Sequence, residues 1–300
     1  MPWKPFWSEV RGKRAFFVVV HAFKQLPRSD NVTGPFDTEL LDVLPKTLKF
    51  ICHNGAGYDN IDIATCTKKQ IRVSSTPGAV APATADIAIF LMIGALRQAW
   101  PLLDAVRAGR WRGESGLGHD PQGKVLGILG MGGIGTEVAR RAKAFGMEII
   151  YHNRARANPE PEGTKYVTFD ELLSQSDVIS LNCTLTDQTR HIIGKREFMK
   201  MKEGVVIVNT ARGAVIDEKA LVEALETNKV ASVGLDVYED EPKIPRALRE
   251  HPRAFLLPHI GTFTCETQKK MEELVLRNLK SCWDTDELVT MVPEQKGIFL

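Results

Sequence analysis

The sequence predicts an α/β protein built on a doubly wound parallel sheet, and two observations lead to this fold class. Short runs rich in Val, Ile and Leu alternate with stretches in which apolar residues recur at helical spacing. From residue 124 onward the order strand, helix, strand repeats, which predicts parallel strands joined by right-handed crossovers. A chain of 300 residues is long enough for one large domain or two ordinary ones, each with its own core.

Five strands are predicted after residue 124, and each is a short run dominated by Val, Ile or Leu. The first reads KVLGILG and leads directly into a glycine-rich turn. Such uninterrupted apolar runs are typical of strands that are buried on both faces of a sheet. The five strands cover residues 124–130, 147–153, 177–183, 204–210 and 230–238.

Helices between these strands are predicted from apolar periodicity and from N-cap residues. The segment 136–145 places four apolar side chains on one helical face: Val138, Ala139, Ala142 and Phe145. Thr168 and Glu171 have the T-x-x-E spacing of a capping box, which predicts the start of a short helix. Asp217 is the predicted N-cap of a helix over residues 218–229.

A second, smaller group of elements lies at the two ends of the chain. Strands are predicted at 15–20 and 48–54, and a helix is predicted between them at 38–44. A helix over 265–283 carries one apolar face, formed by Met271, Leu274, Val275, Leu279 and Cys282. We therefore expect a domain of residues 1–84 and 265–300, with a second domain of residues 85–264 inserted into it.

A long apolar stretch, residues 84–111, joins the two predicted domains. Pro101 lies within it and is expected to bend or break the helix, because proline lacks an N–H and clashes with the preceding turn. The longest apolar run, Ile87–Leu96, is about half the length that a bilayer span requires. We expect no membrane partner.

Charge and cysteine content exclude several other classes of protein. The chain has 39 Lys and Arg residues and 37 Asp and Glu residues, which gives a net charge of +2. It therefore lacks the basic excess that is typical of a nucleic-acid-binding protein. The N-terminus has no apolar core of signal-peptide length. The five cysteines form no C-x-x-C pair, which argues against a metal site or a disulfide framework and favours reduced thiols in a cytoplasmic protein.

A glycine-rich motif follows the first strand of the larger domain. The pattern G-x-G-x-x-G occupies Gly130, Met131, Gly132, Gly133, Ile134 and Gly135. Between a strand and a helix, Gly130 permits the tight turn, Gly132 lets the backbone approach a pyrophosphate, and Gly135 allows close helix–strand packing. The motif therefore predicts a Rossmann-type dinucleotide site, the alternative being a tight turn that binds no ligand.

The end of the next strand indicates which nicotinamide cofactor binds. An NAD site places Asp or Glu there to bind the ribose 2′-hydroxyl, whereas this strand ends in Asn153 and Arg154. Asn153 removes a carboxylate that would repel a 2′-phosphate, and the Arg154 guanidinium fits one. We therefore expect NADP(H). In the alternative, NAD(H) is the cofactor: Arg154 and Arg156 are a solvated pair and Asn153 binds the 2′-hydroxyl.

Three polar residues follow predicted strands at the sheet edge where α/β proteins bind ligands. Arg212 follows the strand at 204–210, Glu241 follows the strand at 230–238, and His259 follows a further short apolar run, FLLP at 255–258. Each alone has an ordinary interpretation, as a surface ion pair, a solvated acid or a histidine beside a turn. Because all three would lie beside a dinucleotide turn, we expect them to form a catalytic group.

At these motifs the chain resembles the D-isomer-specific 2-hydroxyacid dehydrogenases. The matching stretches are HNGAGYDNID, LGILGMGGIG, VNTARGAVIDE, GLDVYEDEP and PHIGT, in the family's order from about Thr33 to about Val292. The chain is most similar to the fungal branch that acts on glyoxylate, mandelate or related 2-oxo acids. The resemblance implies a Rossmann-type domain inserted into a smaller flavodoxin-like substrate domain, and a homodimer formed through helices near 84–108.

The resemblance also implies roles for individual residues. The catalytic arginine, glutamate and histidine correspond to Arg212, Glu241 and His259. The carboxylate-binding loop corresponds to Asn54, Gly55, Ala56 and Gly57. Positions lining the cofactor correspond to Cys183, Thr210 and Gly261, and Asp236 is either a nicotinamide-side residue or a packing residue.

These residues suit the reduction of a 2-oxo acid. His259 can deliver a proton near neutral pH, Glu241 can favour and orient the imidazolium, and Arg212 can bind the substrate carboxylate and polarise the carbonyl. We expect an NADP(H)-linked reductase of glyoxylate, hydroxypyruvate or an aromatic or branched 2-oxo acid. The alternatives are an NAD-linked dehydrogenase of a larger D-2-hydroxy acid and a nucleotide-sensing binding protein on the same fold.

The N-terminus departs from the family pattern. Family members open with a strand–helix–strand unit, whereas only about fifteen residues precede the first predicted strand of this chain. We therefore expect a substrate domain shortened at its N-terminus by one strand–helix unit, the alternative being that a different opening replaces this unit.

Overall fold

The computed structural model describes the backbone of residues 17–19 and, in full, residues 35–113 and 115–299. The chain divides into two compact units. The first comprises Met1–Val80 and Thr264–Leu300, and the second comprises Ala81–Phe263. The opening of the chain, on which the expectation of a shortened domain depends, lies outside the described residues.

The described part of the first unit contains three parallel strands in the order β1–β2–β3, namely β1 (Phe17–Val19), β2 (Phe50–His53) and β3 (Arg72–Ser74). Its helices are α1 (Thr38–Val43), α2 (Ile63–Lys68) and, at the end of the chain, α10 (Cys265–Thr285). Asp37 and Asp62 cap α1 and α2, since each side chain accepts a backbone N–H of the first turn. On α10, Met271, Leu274, Val275 and Cys282 are buried as the periodicity predicts, and Leu279 packs beside them.

The second unit contains seven parallel strands in the order β10–β9–β8–β7–β4–β5–β6. They are β4 (Val125–Leu129), β5 (Glu148–His152), β6 (Lys165–Tyr166), β7 (Val178–Leu181), β8 (Val205–Asn209), β9 (Val230–Leu235) and β10 (Ala254–Leu256). The chain runs from β4 outward to β6, then crosses to β7 and runs outward to β10. This order is a doubly wound α/β sheet, so the predicted fold class is confirmed.

Seven helices are described in the second unit: α3 (Ala81–Leu96), α4 (Ala99–Arg107), α5 (Gly133–Lys143), α6 (Phe169–Gln175), α7 (Lys195–Lys200), α8 (Glu218–Glu226) and α9 (Arg246–Arg249). The predicted capping box opens α6: Glu171 N–H donates to Thr168 Oγ1 at 3.3 Å, and Thr168 N–H donates to Glu171 Oε2 at 2.8 Å. Asp217 caps α8 by accepting the Ala220 N–H at 3.0 Å. Both capping predictions are confirmed.

The sheet of the second unit is covered on both faces. Along β8, Val205 and Ile207 pack into one apolar cluster, whereas Val206 and Val208 pack into a second cluster. Alternate residues of a strand point to opposite faces, so the two clusters are the two cores of a three-layer unit. Burial of each such side chain contributes about 1.5–3 kcal/mol, which explains the uninterrupted apolar strands.

The break in the apolar stretch between the two predicted domains does not lie at Pro101. The helix α3 ends at Leu96, and Gln98, with φ of 50°, turns the chain into α4. Pro101 lies in the first turn of α4, where a backbone N–H has no intrahelical partner and its loss costs little. Among the described residues, no single helix is long and apolar enough to span a membrane. Only α3 and α4 taken together pass that test, and they are bent by 77°.

The predicted apolar face of residues 136–145 is wrong at its last residue. The helix α5 ends at Lys143, and Phe145 is 40% exposed. Gly146, with φ of 71°, ends the helix through the Gly146 N–H to Lys143 carbonyl bond. Five short elements were not predicted, because their apolar runs are too brief to show a period: β3, β6, α2, α7 and α9.

Candidate active site

The glycine-rich turn joins β4 to the first residue of α5. Gly130 has φ of 102°, and a Cβ there would lie 2.6 Å from the Cys183 backbone nitrogen. A Cβ at Gly135 would lie 2.3 Å from the Gly130 carbonyl oxygen. At Gly132, by contrast, no described atom lies within 4 Å of the position of a Cβ. Two of the glycines are thus required by packing, whereas Gly132 leaves an open space beside the N-terminus of α5.

This open space suits a dinucleotide. The first N–H groups of α5 and its dipole favour a pyrophosphate there. Two further polar atoms at the carboxyl ends of neighbouring strands are buried without a hydrogen-bond partner among the described residues, namely Asn182 Oδ1 after β7 and Thr210 Oγ1 after β8. Buried polar atoms are normally paired, so these two indicate a ligand at this edge.

Asn182 was missed by the sequence analysis. Its position in the sequence could have indicated it, because Asn182 directly follows β7 just as Thr210 directly follows β8. Cys183, the next residue, has its thiol pKa raised to about 11 by burial. It is therefore protonated at neutral pH and unsuited to act as a nucleophile.

The strand β5 ends beside the glycine-rich turn. Asn153 Oδ1 accepts a hydrogen bond of 2.6 Å from the Met131 N–H. Arg154 is exposed, and no acidic side chain in the described part of the chain pairs with it. Arg156 instead forms an ion pair with Glu160, so Arg154 and Arg156 differ although both are exposed arginines of one loop.

His259 and Glu241 are in direct contact. His259 Nδ1 lies 2.7 Å from Glu241 Oε2, and Glu241 Oε1 accepts the Tyr238 N–H at 3.1 Å. The Tyr238 hydroxyl donates to the Leu257 carbonyl at 2.9 Å, which ties the segment after β9 to the end of β10. His259 has φ of 55°, a left-handed conformation that is uncommon for a residue with a side chain. The contact directs Nε2 away from Glu241.

Asp236 holds the segment that follows His259. Its side chain is buried, and its two oxygens accept the Ile260 N–H at 2.7 Å and the Gly261 N–H at 2.8 Å. Burial is the largest cause of its raised pKa, while these two N–H groups and His259 act in the opposite direction. A Cβ at Gly261 would lie 3.2 Å from Asp236 Oδ2, so a larger residue there would disturb this arrangement.

Arg212 lies in the turn after β8. Asn209 fixes this turn, since its Nδ2 donates to the Arg212 carbonyl at 2.8 Å and its Oδ1 accepts the Ala211 N–H at 3.0 Å. A Cβ at Gly213 would lie 1.8 Å from the Tyr238 carbonyl carbon, so the turn packs against the backbone after β9. The strands β8, β9 and β10 are parallel neighbours. Arg212, Glu241 and His259 therefore lie at one edge of one sheet.

The predicted carboxylate-binding loop belongs to the first unit. Asn54 is buried directly after β2, and the residues that follow it are partly exposed. The loop is held by two bonds: His53 Nε2 donates to the Gly57 carbonyl at 2.9 Å, and the Thr76 N–H donates to the Gly55 carbonyl at 2.9 Å. Among the described residues, no group of three or more His, Cys, Asp or Glu side chains could hold a metal ion.

Known proteins are similar to this chain over most of its length. A family model described as "D-isomer specific 2-hydroxyacid dehydrogenase, NAD binding domain" matches residues 89–261. The chain is 66% identical over 272 residues to "4-methyl-2-oxopentanoate reductase A" of Aspergillus oryzae, covering 90% of this chain and 83% of that protein.

Two solved structures extend the comparison. A glyoxylate reductase from Paecilomyes thermophila is 68% identical, with a TM-score of 0.88 and coverage of 89% of this chain and 82% of that one. An NADPH-dependent glyoxylate/hydroxypyruvate reductase from Sinorhizobium meliloti, in complex with NADP and malonate, is 29% identical. Its TM-score is 0.85, and the match covers 94% of this chain and 98% of that one.

Proposed function

Since the chain belongs to the D-isomer-specific 2-hydroxyacid dehydrogenase family, we propose that it interconverts a small 2-oxo acid and a D-2-hydroxy acid with NADP(H). The cofactor is a nicotinamide dinucleotide, as the matched NAD-binding domain indicates. The observation that carries the proposal is the 2.7 Å contact between His259 and Glu241. It lies at the same edge of the sheet as the open glycine-rich turn.

The proposed chemistry divides between the cofactor and three side chains. A nicotinamide cofactor, held by the glycine-rich turn with Asn153 and Arg154 beside its 2′ position, would supply the hydride for the carbonyl carbon of the 2-oxo acid. His259 gives the proton at Nε2 to the carbonyl oxygen, because its Nδ1 is held by Glu241. Arg212 binds the substrate carboxylate and stabilises the negative charge that develops on the oxygen. In the opposite direction His259 takes up the proton from the hydroxyl group.

The loop of residues 54–57 in the first unit is also proposed to bind a carboxylate. Gly55 and Gly57 carry no side chain, and successive backbone N–H groups in such a loop can bind an anion. The names of the similar proteins include reductases of glyoxylate and of 4-methyl-2-oxopentanoate. We therefore propose small and branched 2-oxo acids as the substrate class. A panel of glyoxylate, hydroxypyruvate, 4-methyl-2-oxopentanoate and phenylglyoxylate, assayed with NADPH and NADH, tests this proposal.

The proposed preference for NADPH predicts effects of different size for substitutions at two neighbouring arginines. Replacing Arg154 by Asp is expected to lower kcat/KM with NADPH by at least about tenfold relative to NADH, because a charged hydrogen bond to a 2′-phosphate is lost and a repulsive charge is added. Arg156→Asp changes the charge equally, but Arg156 is paired with Glu160. We expect this control to change the cofactor ratio much less. Equal ratios in the wild type and in Arg154→Asp would contradict the NADPH preference.

A second copy of the chain is the proposed partner of helix α4. This helix leaves Trp100, Leu103 and Val106 exposed, by 44%, 43% and 49%. An apolar strip of this kind on a soluble enzyme marks an interface. Light scattering is expected to give twice the chain mass of 33.4 kDa, and Leu103→Glu is expected to shift the protein to monomer. Val43→Glu, at a side chain that is 77% exposed in the first unit, is the matched control. A wild-type mass of one chain would overturn this proposal.

A further inference from the structure

We propose that Glu218 is a positioning residue for proton transfer. Together with Glu239 it forms a reciprocal pair of hydrogen bonds that holds the segment 238–241, and Glu241 at its end, against the start of helix α8. This inference rests on the function proposed above, because Glu218 acts on the reaction only through the contact of Glu241 with His259.

The pair consists of two carboxyl groups that each accept the backbone N–H of the other residue. The Glu239 N–H donates to Glu218 Oε1 at 2.9 Å, and the Glu218 N–H donates to Glu239 Oε1 at 3.0 Å. Glu218 is the first residue of α8, so its N–H has no partner within the helix. The two bonds therefore join the start of α8 to the segment that follows β9.

The burial of Glu218 is unfavourable in itself. This residue is only 9% exposed, and among the described residues no lysine or arginine forms an ion pair with it. Burial raises the pKa of its carboxyl group, and the charges of Glu239, Asp240 and Glu241 act in the same direction, whereas the Glu239 N–H lowers this pKa. A buried carboxyl group without a cation is a poor way to stabilise a fold. Such departures are concentrated at functional sites, which favours a positioning role.

The segment held by Glu218 carries the contact with His259. Glu241 Oε1 accepts the Tyr238 N–H at 3.1 Å, and Glu241 Oε2 lies 2.7 Å from His259 Nδ1. The N–H groups of Tyr238 and Glu239 are consecutive. The first therefore fixes the Glu241 side chain to the segment, and the second fixes the segment to α8. A displacement at Glu239 would move the carboxylate of Glu241 relative to the imidazole.

The same segment is packed against the turn that carries Arg212. A Cβ at Gly213 would lie 2.2 Å from the Glu239 nitrogen, which is the atom that donates to Glu218. The chain continues from this turn through a short 3₁₀ helix, Gly213–Val215, to the start of α8. The bond to Glu218 therefore fixes the segment at its close approach to the turn of Arg212.

Two substitutions separate the hydrogen bond of Glu218 from its charge. Glu218→Ala removes the acceptor, whereas Glu218→Gln keeps an oxygen for the Glu239 N–H and the length of the side chain. Asp177→Ala is the matched control, because Asp177 Oδ2 also accepts a backbone N–H, that of Val125 at 2.8 Å. Asp177 directly precedes β7, so this bond lies at the N-terminal ends of the strands, away from His259.

Hydrogen exchange of the Glu239 amide, followed by NMR, tests the bond in the ligand-free protein. In Glu218→Ala this amide is expected to exchange at least about tenfold faster than in the wild type, because it loses its acceptor. In Glu218→Gln and Asp177→Ala its exchange should stay within about threefold of the wild type. Equal exchange in the wild type and Glu218→Ala would overturn the pair, and thermal melting shows that the variants are folded.

Steady-state kinetics test the effect on the reaction. Glu218→Ala is expected to lower kcat for 2-oxo acid reduction by about tenfold with little change in NADPH binding, since misplacement of a catalytic group by about 1 Å costs up to about 10²-fold. Glu218→Gln should recover most of this loss, and Asp177→Ala should keep the kcat of the wild type. In a Glu241→Ala background, adding Glu218→Ala is expected to change kcat by less than about twofold, because no carboxylate remains to be positioned.

The outcomes distinguish the positioning role from the proposed function. If Glu241→Ala is slow but Glu218→Ala is as fast as the wild type, the positioning role is overturned. Equal losses from Glu218→Ala in both backgrounds would also overturn it, because Glu218 would then not act through Glu241. If Glu241→Ala itself keeps the kcat of the wild type, the role of Glu241 in the proposed function fails, and positioning by Glu218 fails with it. Exchange of the Glu239 amide still tests the pair in that case.

Discussion

Replacing His259 by Ala is expected to lower kcat for reduction of the 2-oxo acid by about 10²–10⁴-fold, the usual contribution of a positioned general acid. The reason is that no other imidazole among the described residues contacts Glu241, and the carbonyl oxygen would receive its proton from water. Steady-state oxidation of NADPH measures the effect. NADPH binding, followed by its fluorescence, should change far less than kcat.

His191 provides a matched control for this substitution. It also has a left-handed backbone, with φ of 51°, and its Nε2 lies 3.0 Å from a carboxylate, Glu239 Oε1. Loss of an imidazole from a strained position is therefore common to both variants. We expect His191→Ala to retain kcat to within a few fold. Comparable losses in the two variants would show that folding, rather than proton transfer, accounts for the effect of His259→Ala.

Glu241→Gln tests the same pair without removing the imidazole. Glu241 Oε2 lies 2.7 Å from Nδ1 of the imidazole and so orients the ring in the proposed mechanism. A neutral amide keeps the size of the side chain but removes the negative charge that faces the ring. We expect Glu241→Gln to lower kcat for 2-oxo acid reduction, but by less than His259→Ala does, because the imidazole remains. Steady-state oxidation of NADPH measures the effect, and a kcat equal to that of the wild type would contradict the proposed role of Glu241.

Replacing Arg212 by Ala is expected to cause the second large loss. Removing one donor that stabilises the developing oxyanion costs about 10²–10³-fold in kcat. Arg212 also binds the carboxylate in the proposed mechanism, so KM should rise as well. Arg212→Lys keeps the charge but loses the planar fork, and we expect it to recover only part of the activity. The kinetics of both variants are measured with a single 2-oxo acid.

Arg253 is the control for this result. It is also a half-buried arginine that donates to a backbone carbonyl, that of Leu225, and to Asn228 Oδ1 at 2.8 Å. However, Arg253 directly precedes β10, so it lies at the N-terminal ends of the strands, whereas Arg212 lies at their C-terminal ends. Arg253→Ala should lower thermal stability and leave kcat/KM for folded protein close to that of the wild type. If Arg212→Ala also kept its kcat, Arg212 would have no role at the reacting atoms.

Much of the fold could be read from the sequence because it depends on local patterns. The strands of the second unit are apolar runs of adequate length, and the caps at Thr168 and Asp217 have side chains suited to their position. The helix break was misplaced at Pro101 because proline is tolerated in a first turn. The actual break lies at Gln98, whose residue type does not by itself predict the end of a helix.

The sequence by itself determined the doubly wound sheet, the glycine-rich turn and the order in which Arg212, Glu241 and His259 follow strands. These features result from the period of the apolar residues, the spacing of the glycines and the positions of the three residues after apolar runs. All of these are properties of short stretches of sequence. Only the tertiary structure decided which atoms pair: Glu241 with His259, Asp236 with the two N–H groups after it, and Asn153 with Met131. Strand order brings these atoms together across distant parts of the chain, and short-range bonding then selects the partner.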